Sequence, residues 1–248
     1  MDKKIKSNIP WQNLASDYER ARVKEDSLDN LVEWPAQKNV LGEIRGKSFL
    51  DLGCGNGAKL AEIMDKGAVN SFGIDVRGDF TNTEHSDLEF AVGDLSELEN
   101  IPALKGRSFD RIMFLQSFGY AQDSIKTLKV ARSLLTDDGF ILLSRTQPVS
   151  YALKRAEING TSLGEEYFST QDFSYASNWN DNITLTKRPY TISDLLNIFS
   201  AAGLWVEVAI EPQLSESDRL KFPHKQSWME RYLGILIFKL RPLPKSGK

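Results

Sequence analysis

From Ser48 onward, short apolar runs rich in β-branched and aromatic residues alternate with stretches whose apolar positions recur every three or four residues. "SFLDLG", "VNSFGIDV", "LEFAVGDL", "FDRIMFLQ" and "FILLSRT" read as strands, and "AKLAEIMDKG" and "SIKTLKVARSLLTDDG" read as helices. Gly67 stops the first helix, and "DDG" at 137–139 ends the second before a strand that starts at Phe140. This alternation predicts a parallel sheet with covering helices. A helix "SDLLNIFSAAG", a strand "LWVEVAIE" and a final strand "LGILIFKL" complete the pattern, with "LKFPHKQSWMERY" as a polar connection before the last strand. Upstream, Leu14 to Ile44 reads as helical, with Pro35 where a first turn tolerates it.

Between Gln147 and Tyr190 the alternation stops. The stretch is too long for an ordinary connection and is rich in aromatics, among them Tyr151, Phe173, Tyr175 and Trp179. It reads as an insertion over the sheet's edge. In open α/β sheets ligands bind at the carboxyl ends of strands, which is where a loop after Arg145 emerges. The aromatics therefore either line a ligand or pack a small core of their own. The chain is read as a single domain: a helical lid at 1–46, a core at 47–146, the insertion at 147–190, and the remaining sheet at 191–248.

Composition narrows the function. With 248 residues and 41% apolar content there is ample core for one large domain. No apolar run reaches the ~20 residues that span a bilayer, and "MDKKIKSNIP" lacks the apolar segment of a secretory signal, so a cytoplasmic location away from the membrane is expected. The end segments "KKIK" and "PLPKSGK" read as solvated tails. One cysteine and two distant histidines predict neither a disulfide framework nor a metal site. A net charge of −3 with scattered basic residues lacks the footprint of a nucleic-acid binder and favours a small-molecule partner. A monomer or weak homodimer is expected.

The chemistry is concentrated in "FLDLGCGNGAKL". Gly53, Gly55 and Ala58 satisfy the spacing of a nucleotide-binding turn, in which missing side chains admit a ligand to the backbone. Asp51 lies two residues before the first glycine, and its charge would oppose a pyrophosphate. It suits a cationic ligand such as S-adenosylmethionine, which carries an ammonium and a sulfonium.

"DLGCGNG" resembles the first motif of the class I S-adenosylmethionine-dependent methyltransferases of small-molecule type. Three further positions extend the similarity: Asp75 in "GIDV", Asp94 in "VGDL", and the run "FDRIMFLQSFGY". The resemblance implies a Rossmann-like, doubly wound α/β fold, with seven mostly parallel strands and the last antiparallel, plus an N-terminal helical lid and an insertion after strand 5. It implies that Asp51, Gly53, Cys54 and Gly55 hold the methionine portion, with Cys54 contributing backbone. It places Asp75 and Val76 at the ribose, and Asp94 and Leu95 at the adenine. Gln116, Ser117 and Tyr120 fall near the methionine and the methyl acceptor. The reaction implied is in-line transfer of a methyl group to an O, N or C nucleophile of a small molecule, of the specialised-metabolite kind, with S-adenosylhomocysteine as product.

Alignment of acceptor, methyl and sulfur matters more here than acid chemistry, and a base is needed only if the acceptor must lose a proton. The candidates are His224, which titrates in the useful range, and Tyr18 on the lid. Trp11, Tyr120 and Trp179 are candidate substrate contacts. Trp11 and Tyr18 belong to a segment expected to cover the site and to be removable, up to residue 20, with little loss of stability. Gln147 stands where relatives often carry a histidine before the proline. Two other readings keep part of the pattern. A non-catalytic S-adenosylmethionine-binding regulatory module would keep every cofactor residue, whereas an NAD-dependent oxidoreductase would share the glycines and Asp75 but not Asp51 and Asp94.

Overall fold

The apolar runs become strands because each can be buried on both faces. In "FLDL" all four residues are buried, and so are the first four of "SFGID". The computed structural model describes residues 8–81 and 84–244, without the side chains of residues 8, 9 and 12. The "KKIK" tail and the last four residues lie outside that range. The chain forms two compact units, each built from separated segments: residues 1–40, 145–195 and 210–237 in the first, and 41–144, 196–209 and 238–248 in the second.

The seven-stranded sheet is carried mostly by the second unit. Its strands are β1 (Phe49–Leu52), β2 (Ser71–Asp75), β3 (Leu88–Val92), β4 (Phe109–Leu115), β5 (Leu135–Thr146), β8 (Leu204–Ile210) and β9 (Ile235–Pro242), the labels β6 and β7 belonging to a separate hairpin. The order is β3-β2-β1-β4-β5-β9-β8, and β1 runs parallel to both β2 and β4. The last strand is antiparallel. Its end meets the start of β8, where Leu243 N donates to Gly203 O at 2.9 Å, and its start meets the end of β5, where Gln147 N donates to Gly234 O at 3.2 Å. Phe49, Phe72, Phe109, Phe114 and Phe140 are fully buried in its core. Helices α3 (Ala58–Asp65), α4 (Ser124–Ser133) and α7 (Ile192–Ala201) follow β1, β4 and the insertion, and Phe199 of α7 packs edge-on to Phe238 of β9. The doubly wound architecture is the one expected.

One boundary differs. The strand β5 begins at Leu135, not Phe140, because Leu135 already pairs with Phe109. "TDDG" is an excursion inside the strand: the next pair joins Arg111 to Phe140, so β5 spends extra residues where β4 spends two. Polar, turn-forming residues looked like a helix stop, yet exposed Asp137 and Asp138 loop out of a continuing ladder.

In the first unit the long N-terminal helix is broken. Helix α1 (Asn8–Arg22) ends before a turn, and a π-helical turn (Asp29–Glu33) then leads into α2 (Trp34–Leu41). Pro35 has no N–H to give Leu31, and the wider turn ahead of it accommodates that loss. Leu14 is fully buried and Ala15 nearly so, so α1 carries core contacts. Removing residues 8–20 should therefore cost stability, against the expectation that the segment is removable; residues 1–7 lie outside the described range.

The insertion folds as α5 (Pro148–Asn159), α6 (Leu163–Tyr167) and the antiparallel hairpin β6 (Phe173–Ala176)/β7 (Thr184–Lys187). The supposed polar connection is helical too, as α8 (Glu216–Lys221) and α9 (Pro223–Tyr232). Pro223 is tolerated at the first position of α9, and Met229 joins Val32 and Leu214 in a small core flanked by Trp228. The two apolar side chains were too few to signal a helix.

Within the insertion Arg155 and Glu166 form a buried pair, Nε to Oε2 at 2.7 Å, and Glu166 also accepts from Asn159 (2.8 Å) and Thr161 (2.7 Å). The Asn159 and Thr161 bonds, reinforced by the guanidinium, hold the Glu166 carboxyl below its usual range. A lowered folded value means the contribution is present above the unfolded pKa of about 4.3 and is lost as pH falls through the folded value. Denaturant midpoints at neutral and acid pH should therefore fall less in Glu166→Gln than in wild type. Equal losses in both proteins would remove Glu166 from the acid response.

Candidate functional site

The glycine turn is shaped by what surrounds it. Gly53 and Gly57 adopt φ of +86° and +83°, in the left-handed region that favours glycine. A Cβ on Gly53 would lie 2.4 Å from the Cβ of Ser117, and one on Gly57 would lie 2.4 Å from the ring of Phe90. The turn is stitched to β2: Gly53 N and Cys54 N both donate to Ile74 O, at 2.8 and 3.0 Å.

Asp51 is 2% exposed on β1, in register with Gly73 of β2 and Met113 of β4. Gly73 leaves the space beside it to Phe90 and the Cys54 sulfur, because a Cβ there would lie 2.6 Å from the ring and 2.9 Å from Sγ. Burial first, then the charges of Asp51 and Asp75, push the Cys54 thiol well above its usual value. A thiolate nucleophile is disfavoured there, which leaves Cys54 a backbone role.

Asp75 closes β2. Its Oδ2 accepts from Gly55 N at 2.8 Å and its Oδ1 from Arg77 N at 3.0 Å. Oδ1 also lies 3.6 Å from Arg77 Nε in an ion pair, so the acceptor position left for a neighbouring hydroxyl is on Oδ2. Val76 beside it is half-buried. Asp94 caps a 3₁₀ turn through Oδ1, which accepts from Ser96 N at 2.8 Å, and Leu95 behind it is buried. Gln116 follows β4 with φ of +64°, a left-handed conformation uncommon outside glycine, and its N–H donates to Ser144 O at 3.0 Å. Ser117 Oγ donates to Leu52 O, and Tyr120 lies in the turn Phe118–Tyr120 with its hydroxyl buried. These positions all fall in the second unit, around the carboxyl ends of β1, β2, β3 and β4.

Three other candidates meet within the first unit. Trp11, Tyr18 and Trp179 form an aromatic triad with ring centroids 4.8 to 6.2 Å apart. Asn180 ties the loop to α1 by donating to Asp17 at 2.8 Å. Burial pushes the Tyr18 phenol far above its usual value, with the Arg22 guanidinium only partly opposing, so it is a poor proton acceptor. His224 is elsewhere on the unit's surface, its side chain 62% exposed and its Nε2 3.3 Å from Asp26, in a network with Lys225. That is the geometry of an exposed surface contact. Gln147 is buried and caps α5, accepting from Val149 N and donating to Glu211 at 3.0 Å.

The pattern that decides the family spans residues 19–207, which match the model of the methyltransferase domain. The chain belongs to the methyltransferase domain family. An uncharacterized protein of Haemophilus influenzae is 24% identical over 212 residues, covering 80% of this chain and 83% of that one. Among solved structures, the S-adenosylmethionine-dependent methyltransferase from Mesorhizobium loti superposes with a TM-score of 0.68 at 20% identity, over 84% of this methyltransferase and 97% of that chain. A methyltransferase of Haloferax volcanii, solved in complex with the Trm112 methyltransferase activator, gives 0.65 at 20% identity over 98% and 100%. The fold is that of the class I S-adenosylmethionine-dependent methyltransferases.

Sequence reasoning passed over a cluster in the first unit. Lys187, at the end of β7, donates to the Tyr151 hydroxyl at 2.8 Å, and buried Arg145 stacks on Tyr190, 4.7 Å from its ring centre. An arginine at the end of the apolar run "FILLSRT" was the available signal. Among the described residues no group of three or more His, Cys, Asp or Glu is placed to hold a metal, and no helix is long and apolar enough to cross a membrane.

Proposed function

We propose that the protein is an S-adenosylmethionine-dependent methyltransferase that methylates a small molecule. The observation that carries this reading is the placement of a buried carboxylate, Asp51, beside a glycine turn with no room for a side chain at Gly53 or Gly57, with Asp75 offering a further acceptor position on Oδ2 one strand away. The donor set fits the cofactor. When bound, it supplies a methyl group already activated by its sulfonium.

The chain's own residues bind and align. Asp51 attracts the ammonium, and the bare backbone at Gly53 lets the methionine portion approach. Asp75 accepts from the ribose hydroxyls, and the remaining oxygen of Asp94 accepts from the adenine amino group, with Leu95 at the ring. Gln116 and Tyr120 lie on the methionine and acceptor side. Methyl transfer then yields S-adenosylhomocysteine by in-line attack of an O, N or C nucleophile, for which positioning supplies most of the rate. The net charge of −3 without a basic run supports a small acceptor over a nucleic acid.

S-adenosylhomocysteine at about 100 times its dissociation constant should stabilise the protein by about 2.7 kcal/mol, raising Tm by roughly 5–10 °C. NADH should leave Tm unchanged. The reverse pattern would overturn the cofactor assignment. Incubating S-adenosylmethionine with a panel of small metabolites should release S-adenosylhomocysteine for at least one, whereas binding with no turnover on any would favour a regulatory module.

A further inference from the structure

One phenol in the first unit, Tyr151, has Lys187 bonded to it and Arg145 and Lys154 in its electrostatic neighbourhood. Lys187 Nζ donates to Tyr151 Oη at 2.8 Å. Lys154, one helical turn along α5 from Tyr151, places its ammonium 5.1 Å from the Trp228 ring centre and 5.2 Å from that of Tyr232. The Arg145 side chain comes up from the end of β5. It is 6% exposed, its Nε makes one long contact to Thr146 O at 3.4 Å, and its Nη1 is buried with no hydrogen-bond partner among the described residues.

The acid on α5, Glu157, is engaged elsewhere. It accepts from Arg231 Nη2 and from the Tyr232 hydroxyl, both at 2.7 Å. No carboxylate among the described residues pairs with Arg145, whose guanidinium lies over the Tyr190 ring and interacts electrostatically with Tyr151. A buried guanidinium without a counter-charge is costly, and a charged donor left unmade is costlier than a neutral one. The environment also reports the imbalance. Despite burial, the neighbouring charges of Lys187 and Arg145 hold the Tyr151 phenol below its usual value, and Lys154 is lowered by burial, with Lys187 opposing its charge as well.

We propose that Arg145, Lys187 and the Tyr151 hydroxyl form a binding site for an oxyanion, the carboxylate or phosphate of a small ligand. Arginine provides the planar fork that matches either group, lysine adds a point charge, and the phenol donates from between them. Tyr190 beneath the guanidinium keeps the fork oriented. Lys154 adds long-range attraction without direct contact. If the ligand is the methyl acceptor itself, the acceptor class is an acidic small molecule; that step alone rests on the methyltransferase reading.

The test uses the full-length protein and three probes at matched ionic strength: benzoate, its neutral counterpart benzamide, and inorganic phosphate. Isothermal calorimetry should show benzoate or phosphate binding and no benzamide binding, with affinity at least 10-fold weaker in Arg145→Met and in Lys187→Met. Preference for benzoate assigns a carboxylate ligand, and preference for phosphate a phosphorylated one. Because Arg145 is buried and its variant can fail to fold, Lys187→Met is decisive alone, with tyrosinate absorbance as the second readout: saturating anion should make Tyr151 harder to ionise, a change absent in Tyr151→Phe. No anion binding by folded wild type, or equal binding in Lys187→Met, overturns the proposal. S-adenosylhomocysteine binding is measured on the same samples. Its presence without an anion response defeats the anion site alone, and an anion response without it defeats the cofactor reading alone.

Discussion

Gly53→Ala should abolish measurable S-adenosylhomocysteine binding and lower stability by about 2–5 kcal/mol. Two effects combine. At φ of +86° an alanine is strained wherever its methyl points, and here the methyl lies 2.4 Å from the Cβ of Ser117, an atom fixed next to the backbone and not the tip of a flexible chain. Ser117 cannot move without giving up its bond to Leu52 O in the adjoining strand. Adding Ser117→Gly to Gly53→Ala should recover part of the stability, since it removes the clash but leaves the strained dihedral. Calorimetric unfolding of wild type and the two variants decides it. A Gly53→Ala protein as stable as wild type would mean the turn has room the geometry denies.

Asp75→Ala should weaken S-adenosylhomocysteine binding by about 10–150-fold, equivalent to roughly 1.5–3 kcal/mol, from losing hydroxyl bonds to a charged acceptor. The variant also releases Gly55 N and Arg77 N, which Asp75 now holds at 2.8 and 3.0 Å, so stability falls as well. Asp94→Ala should weaken binding less, because one bond to a neutral amino group is worth about 0.5–1.5 kcal/mol. Titration calorimetry on folded variants gives the ranking. If Asp75→Ala binds as tightly as wild type, the carboxyl end of β2 does not carry the ribose, whatever else binds there.

The glycine turn and the strands around it were legible because each residue sits at a fixed offset in a repeating local pattern. Asp51 lies in β1 and Asp75 ends β2, both strands marked by apolar runs, and Gly53 announces a turn by lacking a side chain. The first unit was illegible for the opposite reason. Trp11 and Trp179 meet across 168 positions of sequence, and Tyr151 meets Lys187 across 36, so no window of local periodicity holds both partners. The N-terminal helix was read as continuous because the π turn before Pro35 leaves no compositional mark. Helix α9 was missed because Met229 is its one fully buried residue. The loop inside β5 misled by chemistry: "TDDG" has the composition of a helix stop and the geometry of a bulge.

The position of β9 also constrains how the protein is made. The strand lies between β5 and β8, yet it is the last to leave the ribosome. It follows the end of β5 by about 90 residues, so at about 5–20 residues per second the open edge of β5 waits roughly 5–20 s for its neighbour. During that interval β5, and once it is made β8, exposes unpaired backbone, a template for pairing with another nascent chain. A chain stopped just short of β9 keeps that edge permanently, so premature termination there should send the product to aggregates or proteases although the glycine turn and β1 to β5 have all been synthesised.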